Sequence, residues 1–445
     1  MATKSTSMGA RWSMVAISLA ATSCTFVFIN GVAFLIPALE AERGTPLAEA
    51  GLLSSMPSFG MVVTLVAWGY VLDRVGERIV LTVGSALTAG AGYAAASVHS
   101  LVAIGAFLFV GGMAAASSNP AGGRLVSGWF PPHQRGLAMG IRQTAQPLGI
   151  ALGALVIPEL AERGPAAGLM FPALVCTVAA VASALGVIDP PRKTLAAASD
   201  EELASPYRGA STLWRIHVVA GLLMMPQTIT ATFMLVWLIN DHRWSVGSAG
   251  ALVTISQLLG ALGRIVVGRW SDRIGSRMRP VRTIAVTATV TLMLLGLTDH
   301  LGSPLAEALM VAVSVLAVLD NGLEATAITE FAGPFWSGRA LGIQNTTQRL
   351  TAAAGPPVFG ALIAAAGYPL AWVVCGLFPL VAIPFAPAGL LPPGLEATAQ
   401  RRSDRRSRWS KADCHRVSPD GSPRPGLLVR RRLFRRRGPK AAPPT

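Results

Sequence analysis

The sequence predicts an all-α membrane protein with twelve transmembrane helices in two pseudo-symmetric six-helix bundles. Three observations predict it. Of 445 residues, 52% are hydrophobic and only 13% charged, with mean hydropathy +0.52; a soluble chain carries about twice that charged fraction. The apolar residues also fall into runs of roughly 20 or more, separated by turn residues or charges, and that length crosses a bilayer. Finally, the chain repeats itself. Gly69-Tyr-Val-Leu-Asp73-Arg74-Val-Gly76-Glu-Arg78 returns as Gly268-Arg-Trp-Ser-Asp272-Arg273-Ile-Gly275-Ser-Arg277, every shared residue displaced by 199 positions.

Taken in order, the first span covers about 11–39. It is too long for the apolar core of a signal peptide, lacks a clear A-x-A site and contains Asn30 and Pro37, so it reads as a membrane helix. Further spans follow at about 47–72, 78–98, 101–129, 137–160 and 165–188. The plan repeats at about 213–240, 246–270, 280–299, 303–331, 338–366 and 368–391. This divides the chain into an N-terminal half (1–188), a polar cytoplasmic linker (189–212), a C-terminal half (213–391) and a basic tail (392–445).

The repeat extends into the helices. Gly140-Ile141-Arg142-Gln143-Thr144-Ala-Gln146 matches Gly342-Ile343-Gln344-Asn345-Thr346-Thr-Gln348 at an offset of 202, which Asn119 and Asn321 share. Such internal repetition is what transporters with a midplane site between two halves show.

Net charge is +15, but fifteen Lys/Arg against three Asp after residue 396 account for twelve of it. The body is therefore nearly balanced, and nucleic acid is not an expected partner. Basic residues in short loops set orientation. With the N-terminus inside, the cytoplasmic face receives Arg74, Arg78, Arg135, Arg192, Lys193, Arg208, Arg273, Arg277, Arg279 and Arg282, and the outer face only Arg43, Arg163 and Arg243. Both termini are then cytoplasmic, in a plasma (inner) membrane. The tail's Arg clusters alternate with Ser, Gly and Pro and show no apolar period, so the favoured reading is a disordered extension. A polybasic arm on anionic lipid headgroups is the alternative. Cys24, Cys176, Cys375 and Cys414 are far apart with no C-x-x-C pairing, which argues against a disulfide framework or a zinc site.

The doubled G-x-x-x-D-R-x-G segment resembles the signature loop of the major facilitator superfamily, between the second and third helices of each half, and the resemblance covers about residues 11–391. It implies that Gly69, Asp73, Arg74, Gly76 and Arg78, with Gly268, Asp272, Arg273, Gly275 and Arg277, hold the cytoplasmic gate shut while the cavity faces out. Asp73 would face the start of the eleventh helix near Gly338, and Asp272 the start of the fifth near Gly136, where a carboxylate meets a positive helix N-terminus. The segment from Arg135 to Gly149 is similar to the fifth helix of cyanate and nitrate/nitrite-type carriers. Drug antiporters of the superfamily carry G-P-x-x-G-G there; this chain has Gln146-Pro147-Leu-Gly149-Ile instead, which lowers that reading.

Ionisable residues at membrane depth are costly and point to function. Arg142 lies shortly inside the fifth helix on the same face as Gln146, and Arg349 sits deeper in the eleventh. Arg124 and Arg264, toward cytoplasmic ends, are expected to reach the headgroups. Asp320 and Glu324 share a face of the tenth helix, and Asp320 lies at about the depth of Arg349. A structural Arg349–Asp320 pair is one reading; a titrating carboxylate beside an anion-binding arginine is the other. Glu330, at the cytoplasmic end, is placed against the second gate segment. Asn30, Asn119, Gln227 and Asn321 lie on the first, fourth, seventh and tenth helices, which line the cavity in the superfamily.

No H-E-x-x-H, G-x-S-x-G or G-x-x-x-x-G-K-[ST] motif occurs. The reading is thus not an enzyme, with no cofactor and no metal. It is a monomeric, gradient-driven carrier, in contact with membrane lipids, moving a small anionic solute by alternating access with protons as the coupling ion. Arg142, Gln146 and Arg349 with the four amides are the substrate-binding candidates, and Asp320 and Glu324 carry the proton. A drug or metabolite/H⁺ antiporter is the alternative, and a non-transporting sensor a third class. Deleting residues 397–445 is expected to leave membrane insertion and transport intact, because the tail has no apolar face to dock. Loss of folded protein in detergent after that truncation would instead assign the tail an anchoring role.

Overall fold

The computed structural model describes residues 7–36, 38–39, 47–191, 197–208 and 211–387. Pro37, Arg43, Arg192, Lys193, Cys414 and the whole basic tail lie outside the described residues. Cys24, Cys176 and Cys375 are free thiols.

The chain is helical throughout its core. The first bundle comprises α1 (Met8–Gly31, continued by a 3₁₀ turn Val32–Leu35), α2 (Leu47–Val75), α3 (Glu77–Ser97), α4 (Leu101–Ala115 and Ser118–Trp129), α5 (Pro132–Arg142 and Ala145–Ala161) and α6 (Pro165–Gly186). The second comprises α7 (Thr212–Asn240), α8 (Val246–Ile274), α9 (Met278–His300), α10 (Leu305–Leu316 and Asn321–Ala332) and a helical stretch Ser337–Phe385. That last stretch turns at Gly367, whose φ of 79° and ψ of 171° only glycine adopts readily. It therefore forms two spans, α11 (337–366) and α12 (368–385). Eleven helical stretches among the described residues are long and apolar enough to cross a bilayer, and the last counts twice, giving twelve spans.

The repeated segment is more helical than its loop character suggests. α2 continues through Val75 and α8 through Ile274, so Asp73, Arg74, Asp272 and Arg273 sit in last helical turns. The turn itself is confined to Gly76 (φ 106°) and Gly275 (φ 64°), left-handed positions that a side chain would strain. α5 begins at Pro132 rather than near 137, because a proline at the first helical turn gives up an N–H with no intrahelical partner.

Three helices are interrupted near mid-depth: α4 at Ala116–Ser117, α5 at Gln143–Thr144 and α10 at 317–320. These breaks divide the molecule. The segments on the side of the repeated turns (the loop side) pack across bundles: the first segment of α5 on α8, α2 on α11, and the second segments of α4 and α10 on their opposite numbers. The far-side segments of α4, α5 and α10 pack within their own bundles. The apolar core follows suit. Two clusters lie within the first bundle, around Phe28 and Leu108 and around Leu72 and Leu125, and one within the second, around Trp237 and Trp372. A fourth joins the bundles at the loop side, with Val126 and Met139 against Leu323, Ile328 and Leu341.

Close backbone approach makes the cross-bundle contact possible. Gly136 and Gly140 on α5 lie against Gly268 and Arg264–Ile265 of α8, while Gly338 and Gly342 on α11 lie against Gly69 and Leu65–Val66 of α2. Each is a small-xxx-small pair, and each is the image of the other at the sequence offsets of the repeat. At Gly268 an added Cβ would run into the Gly136 carbonyl, whereas at Gly90 on α3 it would meet nothing within 4 Å. Gly268→Ala is expected to destabilise the protein by about 1–3 kcal/mol through overpacking. Gly90→Ala should be neutral or stabilise by up to about 1 kcal/mol from helix propensity. Thermal unfolding in detergent compares the two, and equal effects would show that the glycine contact is not tight.

Candidate functional site

The breaks in α5 and α10 border a narrow cavity of ≈ 50 Å³ between the bundles, room for only a few waters. Seven amides line it: Asn119, Gln143 and Gln146 from the first bundle, and Gln227, Asn321, Asn345 and Gln348 from the second. Arg264 and Arg349 add two positive charges, with Thr22, Phe26, Ala145 and Met224 completing the wall. No carboxylate is among these lining residues.

One amide bond crosses the interface, and a chain of three amides runs within the second bundle. Asn119 Nδ2 donates to Asn345 Oδ1 at 3.2 Å, linking the bundles. Asn321 Nδ2 donates to Gln227 Oε1 at 2.9 Å, and Gln348 Nε2 donates to Asn321 Oδ1 at 3.2 Å. Asn30 stands apart: its Nδ2 donates to the Phe26 carbonyl at 3.0 Å, and it does not line the cavity.

The arginines divide by environment. Arg142 is 2% exposed and turned to the break in α4, donating to the carbonyls of Ser118 and Asn119, to Asn119 Oδ1 and to Gln143 Oε1. It lines a smaller pocket on the loop side with Gln344, Asn345 and Gln348. Arg349 makes no hydrogen bond or ion pair among the described residues; its guanidinium lies 5.8 Å from the centroid of the Phe26 ring, within cation–π range. The Arg349–Asp320 pair weighed from sequence does not form. Arg264, expected at the headgroups, is instead 7% exposed and turned inward. Its Nη1 donates to the Gln143 carbonyl at 2.6 Å and its Nε to the Val318 carbonyl at 3.0 Å. Pro147 explains the first bond: lacking an N–H, it leaves free the carbonyl four residues back, that of Gln143.

Asp320 starts the second segment of α10 and Glu324 lies one turn on, 2% and 0% exposed. One turn apart, they share a face of that segment. Asp320 Oδ1 and Glu324 Oε1 are both buried with no hydrogen-bond partner among the described residues, while Glu324 Oε2 accepts from Gln344 and Gln348 at 3.4 Å each. Two carboxyl oxygens in that position need a proton between them, since like charges so close cannot both ionise in a buried site.

Below the cavity the loop side is closed by two matching networks. Asp73 accepts from the backbone N–H of Gly338 (2.8 Å) and Arg339 (3.1 Å), capping α11. Asp272 accepts from the backbone N–H of Gly136 (2.9 Å) and Leu137 (2.8 Å), one turn into α5 rather than at its start. Arginines complete each network. Arg124, also expected at the headgroups, is 6% exposed. It reaches Asp73, Glu77, and the carbonyls of Leu72 and Pro334 across the interface. Arg339 bonds Asp73 and stacks on Trp336. Arg277 holds Asp272 at 2.6 Å, Glu330 at 3.2 Å and the Pro132 carbonyl. Burial disfavours its charge, but Glu330 and Asp272 more than offset that and hold the guanidinium above its ordinary range. Arg135 adds a second cation to Glu330 at 3.5 Å. Gly76 and Arg78 serve a different contact, since the Arg78 N–H donates to Asp189 beside Gly76. Arg74 stacks on Tyr70. Arg273 makes no contact with the cap.

Sequence reasoning missed Arg264, Arg124, Gln143 and Asn345 as site residues. For Arg264 the signal was depth: it precedes Asp272 by eight residues, about 12 Å along a helix, beyond easy reach of the surface.

The Major Facilitator Superfamily model matches residues 17–356. An uncharacterised MFS-type transporter of Mycobacterium tuberculosis is 69% identical over 440 residues, 99% of each chain. The cis,cis-muconate transport protein of Acinetobacter baylyi is 24% identical over 364 residues, covering 78% of this chain and 86% of its own. The crystal structure of a human organic anion transporter superposes with a TM-score of 0.67 at 17% identity, over 84% of this chain and 99% of that one, a likeness of fold. These relatives give no support to the narrower likeness to cyanate and nitrate/nitrite-type carriers, which rested on the sequence of one helix. They indicate a multi-pass transporter of small molecules rather than an enzyme.

Asp73→Asn and Asp272→Asn are each expected to weaken the closed loop side by about 1.5–3 kcal/mol, the range for hydrogen bonds to a charged group. The readout is maleimide labelling of Ala325→Cys, which lines the loop-side pocket, in a background whose native cysteines are replaced by serine. Labelling should speed up in both variants; unchanged rates in both would remove the carboxylate caps as the closing element.

Proposed function

Because the chain belongs to the Major Facilitator Superfamily, we propose that it carries a small organic anion through the cavity between its bundles, coupled to protons. The observation that carries this reading is the lining: two arginines, seven amides and no carboxylate. Arg349 has five N–H donors and no protein acceptor among the described residues, so an anion satisfies it where the protein does not. Neutral amides orient a carboxylate or phosphate without competing for the cation. Arg142 acts one layer behind, fixing Asn119 and Gln143 at the cavity edge. The A. baylyi relative, named for a dicarboxylate, supports the same chemistry.

The loop-side networks act as the cytoplasmic gate, with Asp73 and Asp272 as its two caps and N- and C-termini on that side. Asp320 and Glu324 hold the coupling proton. A drug/H⁺ antiporter would present those carboxylates to a cationic solute. Both lie behind Arg264, Gln344 and Gln348 rather than on the cavity wall, which favours the anion.

The test is uptake into proteoliposomes and binding to the purified protein, with cis,cis-muconate, sulfate and the lipophilic cation tetraphenylphosphonium. Anions are expected to bind and the cation not. Arg349→Gln should weaken anion binding by about ten- to a hundredfold, the loss of about 1.5–3 kcal/mol of charge-assisted hydrogen bonding. Arg349→Lys should recover little of this, because an ammonium cannot reproduce a planar fork. Binding of the cation alone would overturn the reading.

A further inference from the structure

We infer that Arg264 is the residue through which proton and anion communicate, and that it gives their coupling the sign of symport. The inference rests on the anion-site reading above and adds the coupling residue and its direction.

The internal repeat isolates the residues concerned. At the offsets that relate the two bundles, Arg264 on α8 corresponds to Leu65 on α2, Asp320 to Ser118 and Glu324 to Gly122. Leu65 is fully buried, and its backbone carbonyl lies against Gly342 as that of Arg264 lies against Gly140, a backbone contact open to either side chain. The packing at this position is thus met by leucine in one bundle, and packing does not call for a charge in the other. The charge arrives together with the two carboxyls, in the second bundle only.

The geometry gives Arg264 three roles at once. It lines the cavity. It ties the bundles together through the Gln143 carbonyl of α5 and the Val318 carbonyl of the α10 break. Through the Val318 carbonyl, two residues before Asp320, it also sets its charge beside the start of the segment that carries the carboxyl pair. Nη2 makes no hydrogen bond among the described residues, and it is not sealed from the cavity.

Apart from Arg349, which forms no ion pair among the described residues, the other charges on elements packed around α10 have hydrogen-bonding partners of their own. Arg142 of α5 is held by Ser118 and Asn119, Arg124 of α4 by Asp73 and Glu77, and Arg135 and Arg277 by Glu330. On α11, Arg339 bonds Asp73 and Arg349 lies over Phe26. His217 of α7 bonds Tyr207. Gln344 and Gln348 are uncharged. Arg264 is therefore the counter-charge of the carboxyl pair.

The sign follows. With one proton held between Asp320 and Glu324, the pair carries a single negative charge that Arg264 balances from a distance, and Nη2 stays open to an anion. When that proton leaves to solvent, the pair carries two negative charges. Arg264 is then drawn onto Asp320, and the same negative charge repels a second anion from the cavity. Protonation thus raises anion affinity, and linkage requires the anion to raise proton affinity equally. Solute and proton load together. A solute that competed with the proton for the carboxylates would produce the opposite sign.

The test uses the purified full-length protein, with cis,cis-muconate and sulfate as probes, by calorimetry in two buffers of different ionisation enthalpy. Between about pH 5.5 and about pH 8, where an isolated carboxyl would already be ionised, wild-type affinity should fall about tenfold, within the usual span of coupling. Proton uptake should accompany binding. Glu324→Gln, whose amide N–H replaces the shared proton, should bind tightly at both ends of the range without taking up a proton. Arg264→Gln should bind more weakly, through Arg349, with no pH dependence. Arg264→Lys keeps the charge and should keep the pH dependence; together with Glu324→Gln it decides the matter if Arg264→Gln does not fold. Proton release on binding, or wild-type pH dependence in Arg264→Gln or Glu324→Gln, would overturn the coupling and leave the anion site standing. Binding of neither anion to wild type at either pH would overturn the anion site itself, and the coupling with it.

Discussion

Two carboxylates capping two foreign helices are the constraint on which the rest of the molecule depends. Asp73 and Asp272 each end a helix of one bundle and accept backbone N–H groups of a helix in the other, in the first turn of α11 and the second turn of α5. A helix N-terminus carries backbone N–H groups with no internal partner, and a partly buried one needs an acceptor. Here the acceptor is a full negative charge at the positive end of the dipole. It can reach because glycine at 69, 136, 268 and 338 lets the backbones meet. Each cap in turn buries an arginine, Arg124 or Arg277, whose remaining donors take carbonyls of the opposite bundle. Breaking one cap strands several charged groups together, so the loop side is held by cooperative networks rather than by isolated pairs.

This floor explains why the helices above it are broken. A continuous α5 would pair the Gln143 carbonyl internally; Pro147 prevents that and leaves the carbonyl to Arg264. The break in α10 likewise frees Val318 for Arg264 and sets Asp320 at the start of a new segment. Irregular backbone at membrane depth is tolerated where it is buried in protein or lines a cavity. Both conditions hold here, and the freed carbonyls fix the arginine that faces the cavity.

The fold was legible because its signals are local and periodic. Apolar run length located the spans, and the repeated glycine, aspartate and arginine pattern identified the elements that meet. Helix ends were less legible: the turn shrinks to Gly76 and Gly275, because a conformation open to glycine lets the helix run until that residue. The site was legible in its residue types and less so in its pairings. Asn119, Gln227, Asn321, Gln146 and Arg349 reach the cavity as polarity and depth suggested. Arg264 and Arg124, expected at the headgroups, turn inward instead, since depth along one helix does not tell which break in a neighbouring helix presents free carbonyls. Asp320 sits one turn from Glu324 and forms no ion pair with Arg349 among the described residues, a pairing that depth alone had suggested.

The two bundles share their scaffold and differ in their charges. Gly136 and Gly338, Gln146 and Gln348, and Asn119 and Asn321 repeat, and they supply close packing and neutral hydrogen bonding to both sides. The unpaired features do not repeat. Arg349 stands where the first bundle has Pro147, and Arg264, Asp320 and Glu324 where it has Leu65, Ser118 and Gly122. Symmetry suits closure, because a gate needs equivalent contacts that can be made and broken on either side of the axis. It does not suit coupling, because two equal proton sites in the small volume between the bundles would repel each other when empty. Concentrating the titratable pair and its counter-charge in one bundle leaves the other to provide a neutral wall. On the anion-carrier reading proposed above, the solute bridges a charged face and an uncharged one.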